Sequence, residues 1–177
     1  MPAAAVLPDV LAPNLAVVFC GSAAGSRSAA LGAYYAGPGN RFWPLLFELG
    51  LTPCRLEPAR YRLVLRYGIG LTDLAKRASG PDASLPRDGD DPWRLRRVVQ
   101  QAAPTWLAFN GKRPAAVFLG RRAAWGEQPE RVGTTRIFVL PSTSRANVSF
   151  STEPWHAFAE LARTAGAGLA RPAPRER

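Results

Sequence analysis

The segment LAVVFCGSAAGSRS, residues 15–28, joins an apolar run to a loop of small residues. The run Leu15–Cys20 is rich in β-branched side chains and ends at a glycine, which is typical of a buried parallel strand. The segments TWLAF at 105–109 and RIFVL at 136–140 have the same character. The sequence therefore predicts three strands of one sheet, with the loop Gly21–Ser28 directly after the first.

Helical patterns lie between the predicted strands. Apolar spacing predicts helices over residues 41–49, 58–67, 92–101, 113–119 and 152–165. Asp91-Pro92 is a helix start, because Asp accepts the free backbone amides and proline is tolerated in the first turn. Gly68–Leu74 is predicted as a loop or a short strand, and Ser79–Asp91 as a mobile surface loop.

Strands that alternate with helices predict an α/β protein, a three-layer α/β/α sandwich around a short, mostly parallel sheet. In such sheets, ligands bind beyond the carboxyl ends of the strands. This rule places Gly21–Ser28, Gly70–Asp73 and Pro141–Asn147 along one edge, where the functional site is expected. Residues 1–165 are predicted to form a single domain, and residues 166–177 a basic, disordered tail.

Composition narrows the class of partner. The 177 residues are 47% hydrophobic and 20% charged, as in an ordinary globular protein, and the formal net charge is +10. Positive charge favours a polyanion such as nucleic acid. However, all but two of the 23 basic residues are arginine, which a GC-rich genome also produces, so charge alone leaves DNA binding open.

Other classes of site are not expected. No apolar run approaches the ~20 residues that a membrane span needs, so no membrane association is predicted. The two cysteines and the single histidine form neither a disulfide framework nor a zinc motif. We therefore expect no metal, no other cofactor and a reducing, cytoplasmic location.

Five segments in the same order resemble the mismatch-specific uracil/thymine branch of the uracil-DNA glycosylase superfamily. They are VVFCGSAAG (17–25), GPGNRFW (37–43), YGIGLTDLAKR (67–77), LAFNGK (107–112) and VLPSTSRAN (139–147). The resemblance spans roughly residues 9–165 and implies a uracil-DNA glycosylase-like fold. It also implies a monofunctional DNA repair glycosylase that flips uracil out of a G:U mismatch, hydrolyses the N-glycosidic bond and leaves an abasic site.

The implied partner is uracil-containing double-stranded DNA, with single-stranded DNA and other modified bases as further substrates. The enzyme is expected to be a monomer that works at the nucleoid. Two other functions stay open from the sequence. One is a non-catalytic module of the same fold that binds DNA damage, and the other is a basic α/β protein that binds RNA or another polyanion.

The first loop departs from the family pattern. The family has Gly-x-Asn-Pro-Gly there, and its Asn holds the attacking water, whereas Ala23 and Ala24 occupy those positions here. Alanine can neither orient nor deprotonate water. Backbone amides of the loop can still donate to a uracil oxygen, so Ser22 and Ala23 are predicted to bind the base. The alternative is a tight turn without a ligand.

An acid can replace the missing asparagine, because a carboxylate favours the cationic sugar and accepts a proton from water. Asp73 is the candidate, since it follows small and apolar residues at a predicted strand end, where burial would make its pKa tunable. One alternative makes Asp73 the N-cap of a helix over 74–78. Another assigns catalysis to Asp88–Asp91, although helix capping and solvation also account for those residues.

The resemblance places further residues around the DNA. Tyr35 is predicted to stack on the extruded base and Asn40 to lie at the base pocket, although each can also have only a structural role. The loop Pro141–Asn147 resembles the family's wedge, which fills the hole that the base leaves, and the alternative is a polar turn. The predicted DNA contacts are Ser28, Ser142, Ser144, Arg145 and Ala146, with the last two at the wedge tip.

Overall fold

A computed structural model describes residues 4–165 of the chain. Its centre is a five-stranded sheet in the order β2-β1-β3-β5-β4. The strands are β1 (Val17–Gly21), β2 (Ile69–Asp73), β3 (Trp106–Asn110), β4 (Gly126–Val132) and β5 (Thr135–Leu140). Only β4 runs antiparallel to its neighbour. The prediction of an α/β fold around a mostly parallel sheet is confirmed.

Residues 4–165 contain five α-helices, four of them between strands and the last after β5. They are α1 (Ser26–Leu31), α2 (Phe42–Glu48), α3 (Pro92–Ala102), α4 (Lys112–Leu119) and α5 (Glu153–Ala165), and 3-10 segments cover Pro58–Tyr67, Asp82–Ser84 and Arg87–Gly89. The sequence predicted α2 to α5 to within a residue at each end. Asp91 caps α3 as predicted, because its carboxylate accepts from the backbone amide of Arg94 at 2.8 Å.

The sheet separates two hydrophobic cores, because successive side chains of a strand face opposite sides. In β1, Val17 and Phe19 belong to the core that contains α2, α5 and the segment 58–67. Val18 and Cys20 belong to the core that contains α3 and α4. Helices on both faces make the three predicted layers, and burial on both sides explains why β1 to β3 consist mainly of apolar residues.

Several local predictions were wrong or incomplete. Gly126–Val132 was not predicted as a strand, because its sequence GEQPERV contains a proline and charges that only an edge strand tolerates. The second half of the loop Gly21–Ser28 begins helix α1. Residues 58–67 form a 3-10 segment with a kink at Arg60 instead of a regular helix.

No helix follows Asp73. The backbone amides of Leu74 and Ala75 instead donate to the carbonyl oxygens of Gly21 and Ser22, at 2.9 and 2.8 Å. The alternative in which Asp73 caps a helix over 74–78 is therefore wrong. Residues 69–73 are a fully buried strand and not a loop, so Asp73 is the last residue of β2.

Two predictions concern the limits of the domain. The proposed tail, 166–177, lies outside the described residues, and the domain boundary at residue 165 stays a prediction.

None of the helices in the described part of the chain combines the length and the apolarity that a membrane crossing requires.

Candidate active site

A cleft of about 540 Å³ opens at the carboxyl ends of β1, β2, β3 and β5. Every residue that the sequence analysis placed in the site lines this cleft, although the roles of these residues stay predictions. They are Asp73, Ser22, Ala23, Tyr35, Asn40, Ser28, Ser142, Ser144, Arg145 and Ala146. The rule that ligands bind beyond strand ends therefore located the candidate site in this fold.

Asp73 lies at the bottom of the cleft, beside Gly21 of the neighbouring strand. Asp73 is only 3% exposed. A Cβ atom on residue 21 would lie 2.9 Å from Asp73 Oδ1 and 3.5 Å from the Tyr35 hydroxyl oxygen. Glycine at position 21 therefore leaves the space into which both oxygens are directed.

A network of charged side chains lies behind Asp73. Lys76 Nζ is 3.7 Å from Asp73 Oδ2 and 3.1 Å from Asp9 Oδ1, and it donates to the Tyr34 hydroxyl at 2.9 Å. Arg94 pairs with Asp9 at 2.6 Å and donates to the main-chain oxygen of Asp73, also at 2.6 Å. The network holds Asp73 by both its side chain and its backbone.

Burial raises the pKa of the Asp73 carboxyl from its usual 3.8 to about 6. Lys76 and Arg94 lower this pKa by favouring the charged form, as does the Tyr34 hydroxyl, whereas Asp9 raises it further. At neutral pH the carboxyl is mostly ionised, yet its pKa is close enough to accept a proton during a reaction. This is the property that a general base needs.

The first loop is attached to the chain that follows β2. The carbonyl oxygens of Ser22 and Ala24 accept from the amides of Ala75 and Gly80, at 2.8 and 2.9 Å. Ala23 is half-buried on the cleft wall, and its methyl group offers no hydrogen bond. Residues 21–25 of the loop therefore present backbone and small side chains to the cleft, and the Ser22 hydroxyl is the one polar side chain among these five.

Tyr35 and Asn40 form a second wall. The Tyr35 ring stacks on Phe42 with centroids 3.9 Å apart and planes 27° apart, so only its other face is left for a base. Asn40 Oδ1 accepts from the backbone amide of Phe42 at 3.0 Å, which holds the turn before α2. Asn40 is half-buried and lines the cleft.

The loop Pro141–Asn147 has a fixed base and an exposed tip. Asn110 Nδ2 donates to Thr143 Oγ1 and Asn110 Oδ1 accepts from the Thr143 amide, both at 2.9 Å. The Arg41 guanidinium donates to the Ser144 carbonyl oxygen at 2.9 Å. Thr143 is fully buried, whereas the three residues after it are exposed.

The serines predicted to contact DNA already accept hydrogen bonds from the backbone. Ser28 is 4% exposed, and its Oγ accepts from the Ala36 amide at 3.0 Å. Ser142 Oγ and Ser144 Oγ accept from amides within their own loop, each at 3.3 Å. A hydroxyl that accepts one bond still has its own proton to donate, so the DNA contacts stay predictions.

The cluster Asp88–Asp91 lies elsewhere. Asp88, Asp90 and Asp91 line a second cavity of about 530 Å³ and not the cleft. Asp90 accepts two bonds from Arg113, at 3.2 and 2.9 Å, and Asp91 caps α3. These contacts account for two of the acids, and the placement does not support this cluster as the source of the catalytic acid.

Sequence reasoning missed two features. One is the pairing of Arg94 with Asp9, which a long-range bridge between Val10 and Leu71 helps to bring beside β2. No local pattern indicates that pairing. Asn110 was given no role, although a polar residue at the end of an apolar strand was a usable signal.

Within residues 4–165, no group of three or more acidic, histidine or cysteine side chains could hold a metal ion.

Comparisons with known proteins extend these observations. A sequence-family model described as the uracil DNA glycosylase superfamily matches residues 8–163. The solution NMR structure of a candidate uracil DNA glycosylase from Methanosarcina acetivorans has a TM-score of 0.61 and 24% sequence identity, over 90% of this chain and 96% of that one. At that identity the structural likeness shows the shared fold alone.

Proposed function

Since this chain belongs to the uracil-DNA glycosylase superfamily, we propose that it hydrolyses the N-glycosidic bond of uracil that is flipped out of DNA. The proposed substrate is uracil in a G:U mismatch of double-stranded DNA, and the products are free uracil and an abasic site. The proposed enzyme is a monofunctional, mismatch-specific hydrolase that acts as a monomer at the nucleoid.

The buried carboxylate of Asp73 is the observation that carries this proposal. In the reaction, the electrons of the C1′–N1 bond leave with uracil, and the sugar becomes a cation. Water then adds its oxygen to C1′ while Asp73 accepts one of its protons. The position of Asp73 beside Gly21 allows it to supply, from β2, the function that alanine at position 23 cannot.

The first loop and Tyr35 are proposed to hold the base. The negative charge that develops on the leaving uracil needs preorganised donors, and the loop around Ser22 and Ala23 offers main-chain amides for this purpose. The open face of Tyr35 offers a stacking surface that any base can use. Asn40 contributes to the same wall.

Hydrolysis by water is favoured over a Schiff-base mechanism. A covalent amine mechanism needs a free lysine in the site, and no lysine lines the part of the cleft formed by the described residues. Lys76 lies behind Asp73, is 8% exposed, and interacts with two carboxylates. This arrangement supports the monofunctional assignment.

The loop Pro141–Asn147 is proposed to act as the wedge. Its buried base at Thr143 gives it a fixed position, which a residue that enters a duplex requires. Ala146 is too small to fill the hole that a base leaves, so we assign that task to Arg145. Arg145 packs against Gly39, where a Cβ atom would lie 2.9 Å from Arg145 Cδ.

The range of bases is a separate part of the proposal. Ser22, Ala23 and Ala24 are small, so the cleft wall leaves room for a base that is larger than uracil. A substrate panel of uracil, thymine, ethenocytosine and hypoxanthine in matched duplexes measures this range. Release of uracil alone would limit the enzyme to its proposed substrate.

An alkaline scission assay on end-labelled oligonucleotides tests the function. Wild-type protein should make G:U duplexes alkali-labile at the uracil, with cytosine duplexes as the control. Asp73→Ala should lose this activity but bind the same duplex in a gel-shift assay with nearly unchanged affinity. Asp88→Asn, on an exposed residue outside the cleft, should cut like the wild type.

Each contrary outcome has a different meaning. Duplex binding without scission by the wild type would favour the non-catalytic damage-binding module, which the alanine at position 23 also suits. Equal affinity for RNA and for uracil-free DNA would favour a general polyanion-binding protein. Full activity of Asp73→Ala, together with loss of activity in Asn40→Ala, would transfer the water-positioning role to Asn40.

A further inference from the structure

Two adjacent tyrosines have hydroxyl groups in opposite situations. The Tyr34 hydroxyl donates to the Pro8 carbonyl oxygen at 3.1 Å and accepts from Lys76 at 2.9 Å. The Tyr35 hydroxyl is also buried, but it has no hydrogen-bond partner among residues 4–165. A buried polar group without a partner costs roughly 1–3 kcal/mol, so its presence calls for a physical explanation.

The backbone of Tyr35 is strained, and its ring is fixed by packing. Its φ of +53° lies in the left-handed region, which is unfavourable for an aromatic residue. Its ring is held against Phe42, which is fully buried. Two unfavourable features therefore coincide in one cleft residue, which is the pattern that functional sites show.

The Tyr35 hydroxyl is directed toward the space above Gly21 that Asp73 Oδ1 also faces. The Asn110 carboxamide also lies close enough to the Tyr35 hydroxyl to lower the pKa of the phenol, although the two groups form no hydrogen bond of normal geometry and Asn110 bonds to Thr143. Burial raises the pKa of the Tyr35 phenol above its usual 10, Asp73 raises it further, and the nearby Asn110 lowers it by less. The phenol therefore keeps its proton and remains a donor throughout the working pH range.

The chemistry of the missing asparagine explains why a donor is needed there. A carboxamide offers both an acceptor and a donor, whereas an ionised carboxylate offers acceptors only. Asp73 can therefore replace half of what an asparagine provides. A hydroxyl directed at the same space can supply the other half.

We propose that the Tyr35 hydroxyl and the Asp73 carboxylate together hold the attacking water, an inference that depends on the proposed function. Tyr35 donates to the water oxygen, and Asp73 accepts one water proton. After the bond from C1′ to the base breaks toward the base, one lone pair of the water oxygen forms the bond to C1′ and the O–H bond breaks toward Asp73. Tyr35 keeps its proton throughout.

Removal of single hydroxyl groups tests the inference. Tyr35→Phe keeps the ring and its stacking, so uracil release in single-turnover experiments should fall at least tenfold while duplex affinity stays unchanged. The same variant should be as stable as the wild type or more stable, because it removes an unpartnered polar atom. Tyr34→Phe should be less stable, because its hydroxyl has two partners.

Further variants separate catalysis from folding. Tyr61→Phe, whose ring packs on Tyr34 outside the cleft, should release uracil like the wild type. Tyr35→Phe combined with Asp73→Asn should be no slower than Asp73→Asn alone, because both residues act on one water. Wild-type rates in Tyr35→Phe, or loss of rate and stability together in that variant, would overturn the inference.

A high-resolution crystal structure distinguishes this inference from the proposed function. We expect an ordered water within hydrogen-bond distance of both Tyr35 Oη and an Asp73 oxygen in the wild type, and its loss in Tyr35→Phe. If the wild type releases uracil but holds no such water, the inference is wrong and the function stands. If the water is present but no uracil is released, the proposed function is wrong and the water site stands.

Discussion

Replacement of Asp73 by asparagine should make the protein more stable at neutral pH while it slows uracil release, because a carboxamide can hold water but cannot accept its proton. The side chain keeps its size, and the charge is removed. In the wild type, the ionised carboxylate is 3% exposed, and its raised pKa shows that Lys76 and Arg94 do not compensate for the lost solvation. Lys76 and Arg94 both keep Asp9 as a partner in the variant.

The size of the effect follows from the pKa values. Well below pH 3.8, the carboxyl is protonated in both the folded and the unfolded chain, so stability does not change with its ionisation. Between pH 3.8 and about 6, the unfolded chain releases the proton and the folded chain retains it, so stability falls by about 1.4 kcal/mol per pH unit. Above about pH 6 the full loss of about 3 kcal/mol remains, and Asp73→Asn should recover it.

Urea unfolding monitored by tryptophan fluorescence measures this difference. The free energies of unfolding of wild type and Asp73→Asn are compared from pH 4 to pH 8, so that the titration of other groups cancels. We expect a difference of about 3 kcal/mol at pH 8 that nearly disappears at pH 4. Asp88→Asn, on an exposed acid, is the matched control and should show the wild-type pH dependence. A variant less stable than the wild type at pH 8 would refute the reasoning.

Three further predictions follow from the site. Uracil release by the wild type should fall about tenfold per pH unit below about pH 6, because Asp73 must be ionised, and a flat rate profile from pH 5 to 8 would contradict this. Gly21→Ala would place a Cβ 2.9 Å from Asp73 Oδ1, so the alkaline scission assay should show loss of uracil release with duplex binding retained; wild-type turnover would exclude the proposed position of the carboxylate. Asn110→Ala removes both bonds to Thr143 and leaves a buried amide without a partner, so urea unfolding should show a loss of about 2–3 kcal/mol, and a change below about 0.5 kcal/mol would argue against the anchor.

The order of the elements could be predicted because the signals are local. β1, β3 and β5 are apolar runs bounded by glycine, proline or polar residues, and α3 begins at an Asp-Pro pair that caps it. Strand β4 could not be predicted, because its charged sequence is stable only when β5 supplies the hydrogen bonds. The sequence left β2 open between a loop and a short strand, because Gly68 and Gly70 resemble a loop until β1 lies beside them.

The residues that line the cleft could be predicted from the sequence for a geometric reason. Parallel strands place their carboxyl ends at one edge, so Gly21, Asp73 and the loop Pro141–Asn147 had to meet once the strands were recognised. The burial and the pKa values of these side chains could not be predicted from the sequence. The pKa of Asp73 depends on burial, on Lys76 and on Asp9, and Asp9 comes from a distant segment that the bridge between Val10 and Leu71 helps to hold at the site.

The sequence by itself thus determined three strands of the sheet, the edge at which the site lies and the identity of residues that line the cleft, because hydrophobic periodicity and turn chemistry act over a few neighbouring residues. The tertiary structure alone decided that Asp73 is buried with a raised pKa and that, among residues 4–165, the Tyr34 hydroxyl has hydrogen-bond partners while the Tyr35 hydroxyl has none. Burial and charge pairing depend on atoms that are distant in the chain, and no local pattern encodes those distances.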